Sequence, residues 1–128
     1  MAAVHAGWRG IAAGIVSETV AALPEAPENV TAWIGPAIGP CCYEVGEEVA
    51  EQVAAAARRD VVRPGPRGRP HLDLPGAVAA QLAAAGVSRV VVVSACTRCE
   101  SESLWSFRRD GRGTGRNLSF IWLRPGGP

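Results

Sequence analysis

The stretch His5-Ala6-Gly7-Trp8-Arg9-Gly10 organises the fold predicted for this 128-residue chain. The short apolar run Ala2–Val4 precedes it, and an alanine-rich segment with helical spacing follows it. This order predicts a strand, a glycine-containing turn and a helix, which is how α/β proteins build a site. Glycines allow backbone to approach a ligand closely, and a helix N-terminus offers N–H groups to an anion. We therefore predict a functional turn, with His5 as a candidate metal ligand or base.

Length and composition fit one domain of ordinary size. The chain is 48% hydrophobic, with a formal net charge of +1 and a mean hydropathy of +0.10. This small charge favours neither nucleic acid nor an anionic membrane as a partner. No run reaches the ~18 apolar residues of a membrane span, and no signal peptide is evident, so we expect a cytoplasmic protein. In that compartment the four cysteines are expected to be thiols rather than disulfides.

Hydrophobic spacing and turn residues predict about three helices alternating with four strands, which favours an α/β fold. The predicted helices span residues 11–23, 46–59 and 71–85, and the predicted strands span residues 1–4, 30–34, 88–94 and 118–123. The third helix is expected to have Asp73 as its N-cap and to end at Gly86. Val90–Val93 is apolar on both faces, which favours a central strand of parallel type. The segment Arg63–Pro70, rich in Pro, Gly and Arg, is predicted to be a solvated loop.

Arginines could supply a second part of the site. Guanidinium groups suit phosphate or carboxylate, although an ordinary solvated surface is the default for arginine. The arginines considered for an anion pocket are Arg9, Arg108, Arg109, Arg112 and Arg116. A lone histidine at a strand end is more often structural, but the glycines and the arginine beside His5 favour a site there.

The sequence Cys96-Thr97-Arg98-Cys99 has the spacing of a redox or zinc motif. A zinc site would need a second such pair, and the adjacent residues Cys41 and Cys42 offer poor ligand geometry for one tetrahedral ion. A thioredoxin-like site would place its first cysteine at a helix N-terminus after an early strand, whereas this pair comes late in the chain. The spacing alone therefore favours a structural role, and a thiol-redox protein remains an alternative.

Several stretches, taken in order, resemble one family along nearly the whole chain. They are His5–Gly10, Gly35–Val45, His71–Leu74, Cys96–Thr97, Ser106–Asp110 and Gly115–Asn117. The family is the bacterial laccase-domain family, also called the polyphenol oxidase or peptidoglycan-editing-factor family. The resemblance implies an α/β/β/α layered fold of mixed sheets, and a zinc ion held by two histidines and one cysteine.

The resemblance also implies an activity, the phosphorolysis of adenosine, inosine, guanosine and methylthioadenosine, together with adenosine deamination. Copper-dependent polyphenol oxidation is the older assignment of the family. Of the three metal ligands, only one histidine has a counterpart here, which is His5. The residues expected to bind phosphate or substrate are Gly7, Arg9, Gly10, Arg108 and Arg109. The four cysteines match family positions outside the metal triad.

The resemblance begins about halfway through the family sequence, and Met1 is predicted to stand inside a strand. We therefore expect residues 1–128 to be a single, N-terminally truncated domain with exposed core surface and strand edges. One imidazole cannot hold a catalytic zinc ion, which needs about three protein ligands. The leading hypothesis is part of a zinc-dependent purine nucleoside phosphorylase, working as a homo-oligomer or with a complementing chain. The alternatives are an inactive fragment that pairs with another chain, and a redox protein that uses Cys96 and Cys99.

Overall fold

The computed structural model describes residues 1–126 as a mixture of short helices and strands. The helices are α1 (Trp8–Ala12), α2 (Ile15–Ala22), α3 (Glu47–Ala57), α4 (Leu74–Ala84) and α5 (Phe107–Asp110), with 3-10 turns at Pro27–Asn29 and Gly111–Gly113. The strands are β1 (Thr31–Ile34), β2 (Val62–Pro64), β3 (Pro70–Leu72) and β4 (Arg89–Val92). The predicted α/β class is confirmed. Within the described residues, no helix is both long enough and apolar enough to cross a bilayer.

Two small sheets order the loops around the candidate sites. Strands β1 and β4 pair in parallel, with Thr31 opposite Arg89 and Ile34 opposite Val92. Strands β2 and β3 form an antiparallel hairpin. The predicted parallel pairing type of the 88–94 strand is thus confirmed. Because β1 and β4 run in the same direction, the loops that follow them leave the sheet at the same edge.

The hydrophobic core has two parts. The larger part lies among α1, α3, α4 and β3, and it contains the fully buried side chains of Ile11, Val53 and Leu72. The smaller part joins α2 and α4 to the β1–β4 sheet. Helix α4 contributes to both parts, and its start is fixed by Asp73, whose Oδ1 accepts a hydrogen bond of 2.9 Å from the Gly76 N–H. This predicted N-cap is confirmed, as is the predicted end of the helix at Gly86.

Two helix predictions need correction. The helix predicted over residues 11–23 is two helices, because Gly14 adopts a φ of +83° that no continuous right-handed helix can include. The helix predicted from residue 71 begins at Leu74, because His71 and Leu72 pair with β2 as part of β3. The predicted solvated loop 63–70 is accordingly the turn of this hairpin together with one end of each strand.

The strands predicted at residues 1–4 and 118–123 are wrong for this structure. Both segments lack regular structure, and none of residues 1–126 pairs with them. An apolar pattern indicates burial, but a strand also needs a partner for its backbone N–H and C=O groups. The side chains of the later segment stay in solvent, with Leu118 87% and Trp122 66% exposed.

The strand predicted to be central also lies at an edge. Among residues 1–126, β4 has β1 as its one neighbour in the sheet. Val91 and Val92 are therefore half exposed, and so is Trp33 on β1. The expected exposure of core surface and strand edges is thus observed.

Candidate substrate site and a cysteine cluster

The His5 turn, residues 5–10, lies at the surface and includes the first residues of α1. Its imidazole is exposed. Gly7 is the N-cap of α1, and a Cβ atom there would lie 3.3 Å from Nε2 of His5. Gly7 therefore leaves room for the imidazole above the start of the helix. A Cβ atom on Gly10 would lie 3.3 Å from Cγ2 of Ile15, so this glycine lets α2 pack closely against the turn.

Two of the predicted anion-binding arginines each stack on an aromatic side chain. The Arg9 guanidinium lies 4.5 Å from the ring centre of Trp8, and the Arg108 guanidinium lies 4.8 Å from that of Tyr43. Burial raises the pKa of the Tyr43 phenol, and the positive charges of Arg108 and Arg9 oppose this rise. Arg108 thus contacts the buried phenol, whereas Arg9 contacts the indole of Trp8. We call this region, formed by Arg9, Tyr43 and Arg108, the arginine surface.

The loop that carries Tyr43 is held in place by β3. The Leu72 N–H donates a hydrogen bond of 3.0 Å to the Tyr43 carbonyl oxygen. The neighbouring His71 is buried, and its Nδ1 lies 2.7 Å from the Pro40 carbonyl oxygen. These contacts make His71 a structural residue of the core and fix the position of the phenol beneath Arg108.

Arg109, predicted to bind phosphate or substrate, is engaged by the protein itself. Its N–H groups donate to the Asp110 carboxylate and to the carbonyl oxygens of Thr97, Arg98 and Leu104, over distances from 2.8 to 3.2 Å. A guanidinium has five N–H donors, and these bonds use all of them. Phosphate would have to displace one of these bonds. We therefore assign Arg109 to holding this loop together, and we keep Arg9 and Arg108 as anion-binding candidates.

A zinc ion at His5 does not fit the described residues alone. A catalytic zinc takes about three protein ligands. Across residues 1–126, ligand atoms of three or more histidine, cysteine or acidic side chains come close together in one group, and His5 is not in that group. His5 thus belongs to no set of three ligands within these residues, and no reaction step can be derived for a metal there.

That group consists of Cys41, Cys42, Cys96 and Cys99, and we call it the cysteine cluster. The first two lie in the loop after β1, and the other two lie in the loop after β4. The parallel strands deliver both loops to one edge of the sheet. An isolated parallel bridge between Ala37 and Cys96 holds the two loops together beyond the strands. The fold therefore places beside Cys41 and Cys42 the second cysteine pair that a zinc site would need.

The sulfur atoms of the cluster approach one another closely without bonding. All four Sγ atoms lie within 4.8 Å of one another, and all four cysteines are free thiols. The Sγ of Cys99 is 3.8 Å from that of Cys41 and 3.5 Å from that of Cys42. The Gly39 N–H donates a hydrogen bond of 3.2 Å to the Sγ of Cys96.

The thiols of the cluster differ sharply in acidity. Burial acts to raise the pKa of Cys96, but the backbone N–H groups of Gly39, Cys99 and Arg98 outweigh it and lower this pKa to about 6. Burial and the neighbouring thiols raise the pKa of Cys41 to about 12. One thiolate therefore forms readily, and its charge disfavours the next. A bound cation would offset this repulsion.

The family model described as multi-copper polyphenol oxidoreductase laccase matches residues 1–124. The chain belongs to this family. The resemblance found in the sequence motifs is therefore confirmed. Both the family description and the cysteine cluster point to a metal, without fixing its identity.

The chain is also similar in sequence to curated proteins of known name. The chain is 44% identical over 124 residues to purine nucleoside phosphorylase YfiH of Escherichia coli, covering 96% of this chain and 51% of that protein. It is 40% identical over 127 residues to a purine nucleoside phosphorylase of Pseudomonas aeruginosa, covering 97% of this chain and 52% of that protein. The chain spans about half the length of the curated relatives it matches.

The fold agrees with solved structures of similar proteins. The crystal structure of YlmD from Geobacillus stearothermophilus matches with a TM-score of 0.76 and 40% identity, covering 84% of this chain and 43% of that one. A Bacillus licheniformis protein, YfiH, matches with a TM-score of 0.75 and 32% identity, covering 84% of this chain and 44% of that one. The predicted family fold is therefore confirmed for the part that this chain contains.

Proposed function

We propose that this chain carries part of the active site of a zinc-dependent purine nucleoside phosphorylase. The proposed substrates are phosphate and adenosine, inosine, guanosine or methylthioadenosine, and the complete enzyme would also deaminate adenosine. It would work in the cytoplasm. The remaining active-site residues would come from further sequence, from a complementing chain or from a second copy of this one.

The observation that carries this proposal is the pair of exposed arginines, Arg9 and Arg108, each of which stacks on an aromatic side chain. Phosphorolysis needs a site for an anion, and two exposed guanidinium groups, one stacked on Trp8 and one on Tyr43, would supply it. Arg108 is oriented by a bond of 2.8 Å from its Nη1 to the Glu44 carbonyl oxygen. Its other N–H groups would bind phosphate oxygens and stabilise negative charge that develops as the glycosidic bond breaks.

His5 would act at the edge of the arginine surface as one of the metal ligands. Its exposure supports this role, because a ligand shared with another segment must be reachable from outside the described fold. Gly7 supports it too, since any larger residue would crowd Nε2 of the imidazole. The backbone of Gly7 and Gly10 would then lie close to the bound phosphate or ribose.

A comparison of two proteins tests the proposal. Phosphate-dependent release of adenine from adenosine is measured with added zinc, for the 128-residue chain and for a chain extended by the upstream half of the family sequence. We expect activity in the extended protein and its loss in the extended His5→Ala variant. An extended, folded and zinc-supplied protein that releases no adenine in the presence of phosphate would overturn the nucleoside proposal.

A second candidate function is binding to another chain without catalysis. The exposed apolar side chains favour it, because large apolar patches on a folded surface usually mark an interaction site. These side chains include Trp33, Leu118, Phe120, Trp122 and Leu123. Under this alternative the extended protein would be inactive, while the upstream segment supplied as a separate chain would still form a stable complex.

A further inference from the structure

The cysteine cluster has the dimensions of a tetrahedral metal site. A zinc ion bound by four thiolates has Zn–S bonds of about 2.3 Å, which separates the sulfur atoms of a regular tetrahedron by about 3.8 Å. The Sγ of Cys99 lies at 3.8 Å and 3.5 Å from those of Cys41 and Cys42, and no pair in the cluster exceeds 4.8 Å. The largest separation therefore exceeds that of a regular tetrahedron by about 1 Å at most.

We propose that Cys41, Cys42, Cys96 and Cys99 bind one zinc ion as a structural site, separate from any metal at His5. Four thiolates fill the coordination shell of zinc and leave no open position for water or substrate, which is the mark of a structural rather than a catalytic ion. The proposal does not depend on the nucleoside activity, since it rests on residues that the activity does not use.

The surroundings of the cluster support thiolate ligands. The Gly39 N–H points at Cys96 Sγ from 3.2 Å, and such outer hydrogen bonds spread the negative charge of metal-bound sulfur. Gly39 is also required sterically, because a Cβ atom there would lie 3.3 Å from Cys41 Sγ and 3.4 Å from Cys96 Cβ. The turn from Cys96 to Cys99 is closed by a backbone bond of 3.1 Å between these two residues.

Arg109 supports the same turn from the other side. It donates hydrogen bonds of 2.9 Å and 3.2 Å to the carbonyl oxygens of Thr97 and Arg98, the two residues between the cysteines. The turn is thus fixed on its sulfur face by Gly39 and on its carbonyl face by Arg109. A site shaped in advance loses little conformational entropy when the metal binds.

The proposed zinc would cross-link two loops that are distant in sequence. One loop leads from Cys42 directly into Tyr43, and the other leads from Cys99 towards Arg108. Tyr43 and Arg108 are two of the three residues of the arginine surface. The ion would therefore hold the phenol and its overlying guanidinium in register, in addition to stabilising the fold.

Metal content tests the proposal directly. The 128-residue chain is purified under reducing conditions, reconstituted with zinc and freed of loosely bound ion, and zinc is then measured per chain. We expect one zinc per wild-type chain, loss of that zinc in Cys99→Ser, and its retention in Cys99→His, because imidazole can replace one thiolate as a zinc ligand. The matched control is His5→Ala, which should keep the full zinc content.

Cobalt provides a readout that needs no variant to fold. Replacing zinc by Co(II) in the wild-type chain should give intense thiolate-to-cobalt charge-transfer absorption and the d–d bands of a tetrahedral ion. The proposal is overturned if the reduced wild-type chain binds neither metal, or if zinc stays in Cys99→Ser and leaves in His5→Ala. It is also overturned if the purified chain holds these cysteines as disulfides that resist thiol reductants, as a structural disulfide would.

Discussion

The His5 turn and the cysteine cluster are opposite cases of what a motif can reveal. The turn lies within the residues that match the family and carries a potential metal ligand, yet the described residues do not complete a set of three ligands around it. The cluster comes from two unremarkable sequence patterns, yet it brings four thiols within 4.8 Å. A sequence motif therefore indicates ancestry, whereas completeness of a metal site depends on which loops the fold brings together.

The two regions also differ in how they are supported. The imidazole of His5 is exposed and lies in the irregular segment that precedes a helix of five residues, α1. The cysteine cluster lies at the edge of a parallel strand pair and is fixed by a bridge, an N–H···S bond and the Arg109 contacts. Rigid support of this kind is what a metal site needs in order to form without rearrangement.

The largest expected effect is on phosphate binding at the arginine surface. In the extended, active protein, Arg108→Ala should raise the KM for phosphate by about 10- to 150-fold, because a hydrogen bond to a charged group contributes about 1.5–3 kcal/mol. Steady-state kinetics at varied phosphate concentration measure the change. Arg59→Ala is the control, since Arg59 is an exposed arginine outside the arginine surface, and the KM of this variant should stay at the wild-type value.

The same variant also distinguishes the role of the arginine surface from that of the cysteine cluster. The zinc content of the thiolate site should be the same in Arg108→Ala as in the wild type, since Arg108 bonds Glu44 and packs on Tyr43 rather than on the cysteines. An unchanged KM in Arg108→Ala would remove Arg108 from the proposed phosphate site.

A smaller effect is expected on the stability of the fold near the cysteine cluster, through the ion pair between Asp110 and Arg109. The Arg109 guanidinium holds the pKa of the Asp110 carboxyl below its ordinary value. A lowered pKa in the folded state stabilises the fold above the unfolded pKa, and this stabilisation is lost as the pH falls through the folded value. Asp110→Asn should therefore lower the free energy of unfolding at neutral pH, and the difference from wild type should vanish at acidic pH.

Denaturant unfolding at a series of pH values measures this difference. Glu102→Gln serves as the control, because Glu102 is an exposed carboxylate near the same turn, and it should change stability little at any pH. A difference between Asp110→Asn and wild type that persists unchanged into acid would show that the Asp110 charge is not responsible.

Much of the helical core was predictable from the sequence. Helix α3 lies inside the predicted range, and α4 starts at its predicted cap because an Asp side chain can satisfy the N–H of Gly76. Strands β1 and β4 were predicted because β-branched runs bounded by turns have few other conformations. These features depend on local chemistry, which the sequence states directly.

The predictions failed where a feature depends on a partner. Residues 118–123 have the composition of a strand, but the described residues offer no strand to pair with them. The break at Gly14 was visible as a glycine inside a helical pattern, yet whether such a glycine ends a helix is decided by the packing of the segments on either side.

The cysteine cluster can be predicted from the sequence when its two cysteine pairs are considered together. Each cysteine pair follows a predicted strand after a short loop, and β4 was predicted to be of parallel type. Parallel neighbours bring such loops to a common edge. Neither pair predicts the cluster by itself, because β1 and β4 are separated by more than fifty residues of chain.

X-ray absorption at the zinc edge of the zinc-loaded, 128-residue chain is the most direct test of whether the four cysteines bind the ion. We expect a first shell of four sulfur atoms at about 2.3 Å, with the same spectrum in His5→Ala. A shell containing nitrogen at about 2.0–2.1 Å, or a spectrum that changes when His5 is replaced, would contradict it.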